Sequence, residues 1–87
     1  MKIKPGYKLR KMCGSSIVVA VGKASAEFNG MVTLNESGEI LWNRLAEGAE
    51  INDLVAVLIE EYGIDETTAR ADALEFISKI EGEGFIE

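Results

Sequence analysis

Eighty-seven residues, 47% hydrophobic and 28% charged, predict one small globular domain over residues 1–87, with too little chain for a second core. Histidine is absent and Cys13 is the only cysteine, which excludes His-dependent triads, Cys–His dyads, an intramolecular disulfide and any zinc site built from Cys and His. The net charge is −6 but unevenly placed: Lys2, Lys4, Lys8, Arg10 and Lys11 give the first 12 residues +5, and residues 13–87 carry −11, a balance that argues against nucleic acid as a general partner.

The first third reads as strands. Tyr7, Leu9 and Lys11 alternate with Lys8, Arg10 and Met12 at period two. Cys13-Gly14-Ser15-Ser16 is turn chemistry. Ile17-Val18-Val19-Ala20-Val21 is apolar on both faces and mostly β-branched, which suits the middle strand of a small sheet. It is also the longest apolar run and far too short to span a bilayer, so a cytoplasmic protein with no membrane segment is expected. After a loop from Gly22 to Glu27, alternation resumes at Phe28, with Phe28, Gly30, Val32 and Leu34 on one face. These runs predict a three-stranded antiparallel meander.

At Asn35 the period changes. Asn35 is a good helix cap, and Gly38, Leu41, Trp42 and Leu45 follow at helical spacing until Gly48. Ile51, Leu54, Val55, Leu58 and Tyr62 mark the inward face of a second helix closed by Gly63. Asp65 caps a third, whose inward face holds Ala69, Ala73, Phe76, Ile77 and Ile80. Phe85 and Ile86 are left to fold back on the core. A three-stranded antiparallel sheet followed by three helices is a winged-helix-like α+β fold.

No catalytic constellation emerges. Glu60 with Glu61, and Asp72 with Glu75, read as solvated helix faces rather than acid–base pairs. Gly82-Glu83-Gly84 ends a helix, whereas phosphate cradles precede one. Cys13 lacks a base partner, and no set of residues suggests a metal. The expectation is a non-enzyme. A winged-helix regulator that binds DNA is the first alternative, but its recognition helix would bring Glu66, Asp72, Glu75 and Glu81 towards phosphates against only Arg70 and Lys79. A structural subunit docked permanently on an enzyme is the second.

Two features point to a peptide. The strand Asn29–Leu34 ends the meander with no proline and no charge, so its open N–H and C=O groups suit an added strand. Without a peptide, two copies of the chain are expected to pair through the same edge as a homodimer. The third helix carries a second row beside its core stripe, Thr67, Arg70, Ala71, Leu74 and Ser78, which suits a groove wall, with Arg70 placed to meet an acidic side chain. The basic N-terminal segment either steers an acidic partner or balances the acidic helices internally.

Taken as a unit, Phe28-Asn29-Gly30-Met31-Val32-Thr33-Leu34-Asn35-Glu36-Ser37-Gly38-Glu39-Ile40-Leu41-Trp42 resembles the PqqD-like family, small peptide chaperones named for pyrroloquinoline quinone biosynthesis. Leu54–Tyr62 with Gly63-Ile64-Asp65, then Ala71-Asp72-Ala73-Leu74-Glu75-Phe76-Ile77, and the Gly84-Phe85-Ile86 ending extend the likeness over about residues 5–87. The resemblance implies a cofactor-free recognition element that binds the leader of a ribosomally made precursor peptide as an extra strand. It also implies delivery to a modifying enzyme, commonly a radical S-adenosylmethionine protein. Carried onto this chain, backbone pairing falls on Gly30, Met31, Val32 and Thr33. The helix wall is drawn, from its face, from Arg70, Ala73, Leu74 and Ile77.

Overall fold

The computed structural model describes residues 1–22 and 32–87. Three strands, β1 (Tyr7–Met12), β2 (Ser15–Ala20) and β3 (Val32–Leu34), precede three helices, α1 (Glu36–Ala46), α2 (Ile51–Tyr62) and α3 (Glu66–Gly82). The sheet is antiparallel in the order β1-β2-β3, so the doubly apolar run is the central strand, as its composition predicts. Residues Phe28 to Met31 of the expected last strand lie outside the described residues.

The β1–β2 connection follows from two positive φ angles. Met12 faces Ser15 in the ladder, which leaves only Cys13 and Gly14 to turn the chain, at φ +53° and +81°. A two-residue loop left-handed at both positions has the twist of the strands it joins. Gly14 adopts that conformation freely. Cys13 is the only non-glycine with positive φ among the described residues, and it is exposed.

The helices cover one face of the sheet. Tyr7, Val18 and Leu34 point into them and join Leu41, Trp42, Leu45, Leu54, Val55, Leu58, Ala69, Ala73, Phe76, Ile80 and Phe85 in one core. The Asn35 side chain caps α1 by accepting from the Gly38 N–H at 2.8 Å. Asp53 accepts from the Glu50 N–H at the start of α2, and Asp65 from the Thr68 N–H at the start of α3. That last contact, from both the Thr68 side chain and its backbone, holds the Asp65 carboxyl below its ordinary range. The predicted inward stripe of α2 holds at Leu54, Val55 and Leu58 but fails at Tyr62, which is exposed at the helix end. There, desolvation and then the charges of Glu36 and Glu61 hold its phenol above the usual range.

Gly38 is buried where α1 starts against β3. An added Cβ would lie 3.2 Å from the Leu34 Cβ and 3.1 Å from the Asn35 Oδ1 that caps the helix. Overpacking there costs about 1–3 kcal/mol, against a helix-propensity gain of at most about 1 kcal/mol. Gly38→Ala is therefore expected to lower stability by about 1 kcal/mol in a urea titration. An unchanged or raised midpoint contradicts the close approach.

The C-terminal segment closes the fold. Phe85 is fully buried, its ring 4.7 Å from Tyr7 and 5.8 Å edge-on from Trp42. Its carbonyl accepts from the Lys4 N–H, Glu87 donates to Lys2, and Ile3 bridges Ile86. Of the five N-terminal cations, Lys11 alone forms an ion pair with a described acid, Glu39 at 3.3 Å. With the Met1 ammonium on Glu50 at 3.1 Å, the expected internal balance rests on two contacts among the described residues. No described helix is long and apolar enough to cross a membrane.

Candidate functional site

The site begins with the edge of β3. Its inner residues, Val32 and Leu34, face the core, and Thr33 is exposed opposite Ile17. The Lys79 ammonium, on α3, donates to the Thr33 carbonyl at 3.5 Å. That carbonyl therefore points away from β2. In an antiparallel strand the N–H and C=O of one residue point to the same side, so the Thr33 N–H also faces the open edge. The end of β3 therefore offers an open backbone donor, and an acceptor held only by the Lys79 ammonium, beside a helix.

Between them runs an open groove of about 1200 Å³. Leu34, Leu41, Leu58 and Phe76 form its apolar floor, and all four belong to the core. Thr33 lines one side, and Asp72, Glu75 and Lys79 line the other from α3. The start of α1 closes one end with Glu36 and Glu39, and Lys11 and Ser16 meet Glu39 from the sheet. Among the described residues no cluster of His, Cys, Asp or Glu has the arrangement of a metal site.

Glu39 ties that end together. It accepts from the Ser16 hydroxyl at 2.8 Å and pairs with Lys11 at 3.3 Å. The Ser16 hydrogen bond, opposed by partial desolvation and helped by Lys11, holds its carboxyl below the ordinary glutamate range. A carboxyl with a lowered folded-state pKa stabilises the fold above its unfolded pKa and loses that contribution as pH falls through the folded one. Wild type is therefore expected to exceed Glu39→Gln in urea midpoint at neutral pH, with the gap closing as pH falls below about 4. A gap that stays constant or widens on acidification contradicts this geometry.

The sequence-predicted residues divide. Val32 and Thr33 lie at the strand edge, whereas Gly30 and Met31 are outside the described residues. None of the four helix positions lines the groove. Ala73 is fully buried in the core, and Ile77 packs half-buried against it. Leu74 is 52% exposed, and Arg70 pairs with Glu66 one turn back at 3.3 Å. At 100° per residue, Arg70, Leu74 and Ile77 occupy the flank of the core stripe opposite the one that meets β3. The groove wall is instead Asp72, Glu75, Phe76 and Lys79. The sequence signal for it is the row three and four residues apart on the other side of Phe76, of which Asp72 and Glu75 read from sequence as a solvated face.

Comparison with known proteins follows the same architecture. The family model for coenzyme PQQ synthesis protein D (PqqD) matches residues 16–86. A solved structure described as TbiB1 in complex with the TbiA(beta) leader peptide superposes with a TM-score of 0.80 at 20% identity, covering 100% of this chain and 95% of that one. Another, lasso peptide synthetase B1 complexed with the leader peptide, gives 0.78 at 17% identity, covering 99% and 95%. At such identities the likeness establishes a shared fold. No curated protein sequence matches the chain.

Proposed function

The chain belongs to the PqqD family, and from that premise we propose that it is a peptide-recognition module. It holds the leader segment of a ribosomally made precursor peptide as an added strand on β3 and presents it to a peptide-modifying enzyme. The observation that carries this reading is the outward-facing backbone of Thr33 beside the apolar-floored groove. Support comes from the two proteins of the same fold, each solved with a leader peptide.

In this reading the added strand pairs along Gly30, Met31, Val32 and Thr33, and its inward side chains lie towards Leu34 and Phe76. On the helix side Phe76 and the rim of Asp72, Glu75 and Lys79 meet the peptide. Ala73 supports that wall from the core, and Arg70, Leu74 and Ile77 stay outside it. Residues 1–87 act as one module that makes and breaks no bond and needs no cofactor. The enzyme it serves is of the radical S-adenosylmethionine class, and both work in the cytoplasm where the precursor is made.

Calorimetric titration of the chain with the leader half of the precursor peptide encoded beside its gene tests this. Saturable binding at one peptide per chain is expected. A folded chain that binds the enzyme tightly but not the peptide would contradict it and favour a permanently docked subunit. The same edge is open to a second copy of the chain, so dimers seen by sedimentation at high concentration are expected to dissociate when the peptide is added. Dimers that persist with peptide bound place their interface elsewhere.

A further inference from the structure

Resting on the strand-addition reading, we propose that this groove selects its peptide by charge. It takes a strand with a basic side chain over Asp72 and Glu75, and the sign change at Lys79 sets the direction in which the strand lies. The two carboxylates stand one turn apart on the flank of α3 that lines the groove. Both are exposed, and neither forms an ion pair or a side-chain hydrogen bond with a described residue.

Of the two cations in the same groove, only Lys11 is paired with an acid. Lys11 is held by Glu39 at 3.3 Å, and Lys79 lies on the Thr33 carbonyl. A further carboxylate, Glu36, lies at the α1 end. The charge left facing an incoming strand is Glu36, Asp72 and Glu75 against Lys79, negative on balance. Independently of the acids, the Lys79–Thr33 contact shows that a side chain of α3 spans to the strand edge. A peptide strand laid about 4.8 Å outside β3 thus comes within side-chain reach of the same helix rim. It also takes the Thr33 carbonyl from Lys79, freeing that ammonium for an acidic or carbonyl group on the peptide.

Along α3 the rim runs negative at Asp72 and Glu75 and positive at Lys79. A strand reversed end for end brings its base against Lys79 and forfeits both attractions, so the charges favour one direction as well as one composition. This reverses the expectation of an acidic peptide residue at Arg70, whose guanidinium is engaged by Glu66 on the other flank.

Yeast-displayed random short peptides selected against the full chain at low salt provide the test, with the Thr33 amide resonance reporting where each selected peptide binds. Selected peptides are expected to carry Lys or Arg at one fixed position flanked by alternating apolar residues. Asp72→Asn with Glu75→Gln should weaken a synthetic selected peptide roughly 5-fold, the size expected of two exposed pairs. Asp72→Lys with Glu75→Lys should reverse the preference towards the same peptide with Glu in place of its base. Circular dichroism verifies that these surface variants fold. Selected peptides that move Thr33 but are neutral or acidic throughout, or a charge reversal that leaves the preference unchanged, overturn the proposal and leave strand addition standing. A selection that yields no peptide, or only peptides that leave Thr33 unmoved, overturns strand addition itself and the proposal with it.

Discussion

Phe85→Ala is expected to destabilise the domain by about 3–5 kcal/mol, the cost of removing a fully buried aromatic ring. The site has little capacity to collapse. The ring is wedged between Tyr7 at 4.7 Å and Trp42 at 5.8 Å, and its backbone is pinned by Lys4 and Ile80. Those partners come from β1, α1, the N-terminal segment and the end of α3, so the loss is felt by four parts of the chain at once. A domain of this length holds only about 4–13 kcal/mol in all. The variant should therefore melt about 12–40 °C lower, and Trp42, the only tryptophan, reports the transition by fluorescence. A melting point within a few degrees of wild type would show that the C-terminal segment is an accessory rather than the closing piece of the core.

Thr33→Pro is expected to lower affinity for the leader peptide at least 10-fold, roughly 1.4 kcal/mol, with the fold retained. Proline removes the Thr33 N–H and places a ring on the open edge, where it blocks the approach of another strand. The same N–H points away from β2, so no internal ladder bond is lost. Val32, as the residue before proline, is already extended, the conformation that position requires. Thr33→Val is the matching control, since it changes the side chain and leaves the backbone donor intact. If valine weakens binding as much as proline, the side chain rather than the backbone is recognised. If proline has no effect while the protein stays folded, the edge of β3 is not the site.

Much of this architecture was legible in the sequence, because its signals are local. Asn35 and Asp65 are capping residues, and both cap; the turn expected over Cys13–Ser16 is confined to Cys13 and Gly14, both left-handed, and Ser15 and Ser16 already belong to β2. The core stripe of α3 follows from spacing alone, and Ala69, Ala73, Phe76 and Ile80 are buried as that spacing requires. The flank of α3 that meets β3 was not legible. A helical stripe is symmetric about its own centre, and only the tertiary packing of α3 decides whether Asp72 and Lys79 or Arg70 and Leu74 look towards the strand. Leu74 is apolar, yet it is half exposed to solvent, as isolated surface leucines commonly are. Tyr62 failed for a related reason: it continues the apolar period to the last residue of α2, where it stays exposed beside Glu36.

Backbone amide hydrogen exchange of the chain with and without the leader peptide tests strand addition most directly, because it reads the Thr33 N–H itself. Strand addition predicts that this amide exchanges freely in the unbound chain and is strongly protected in the complex, with amides along α2 unchanged. A peptide that binds saturably while Thr33 stays unprotected, or one whose protection is confined to α2, would contradict it.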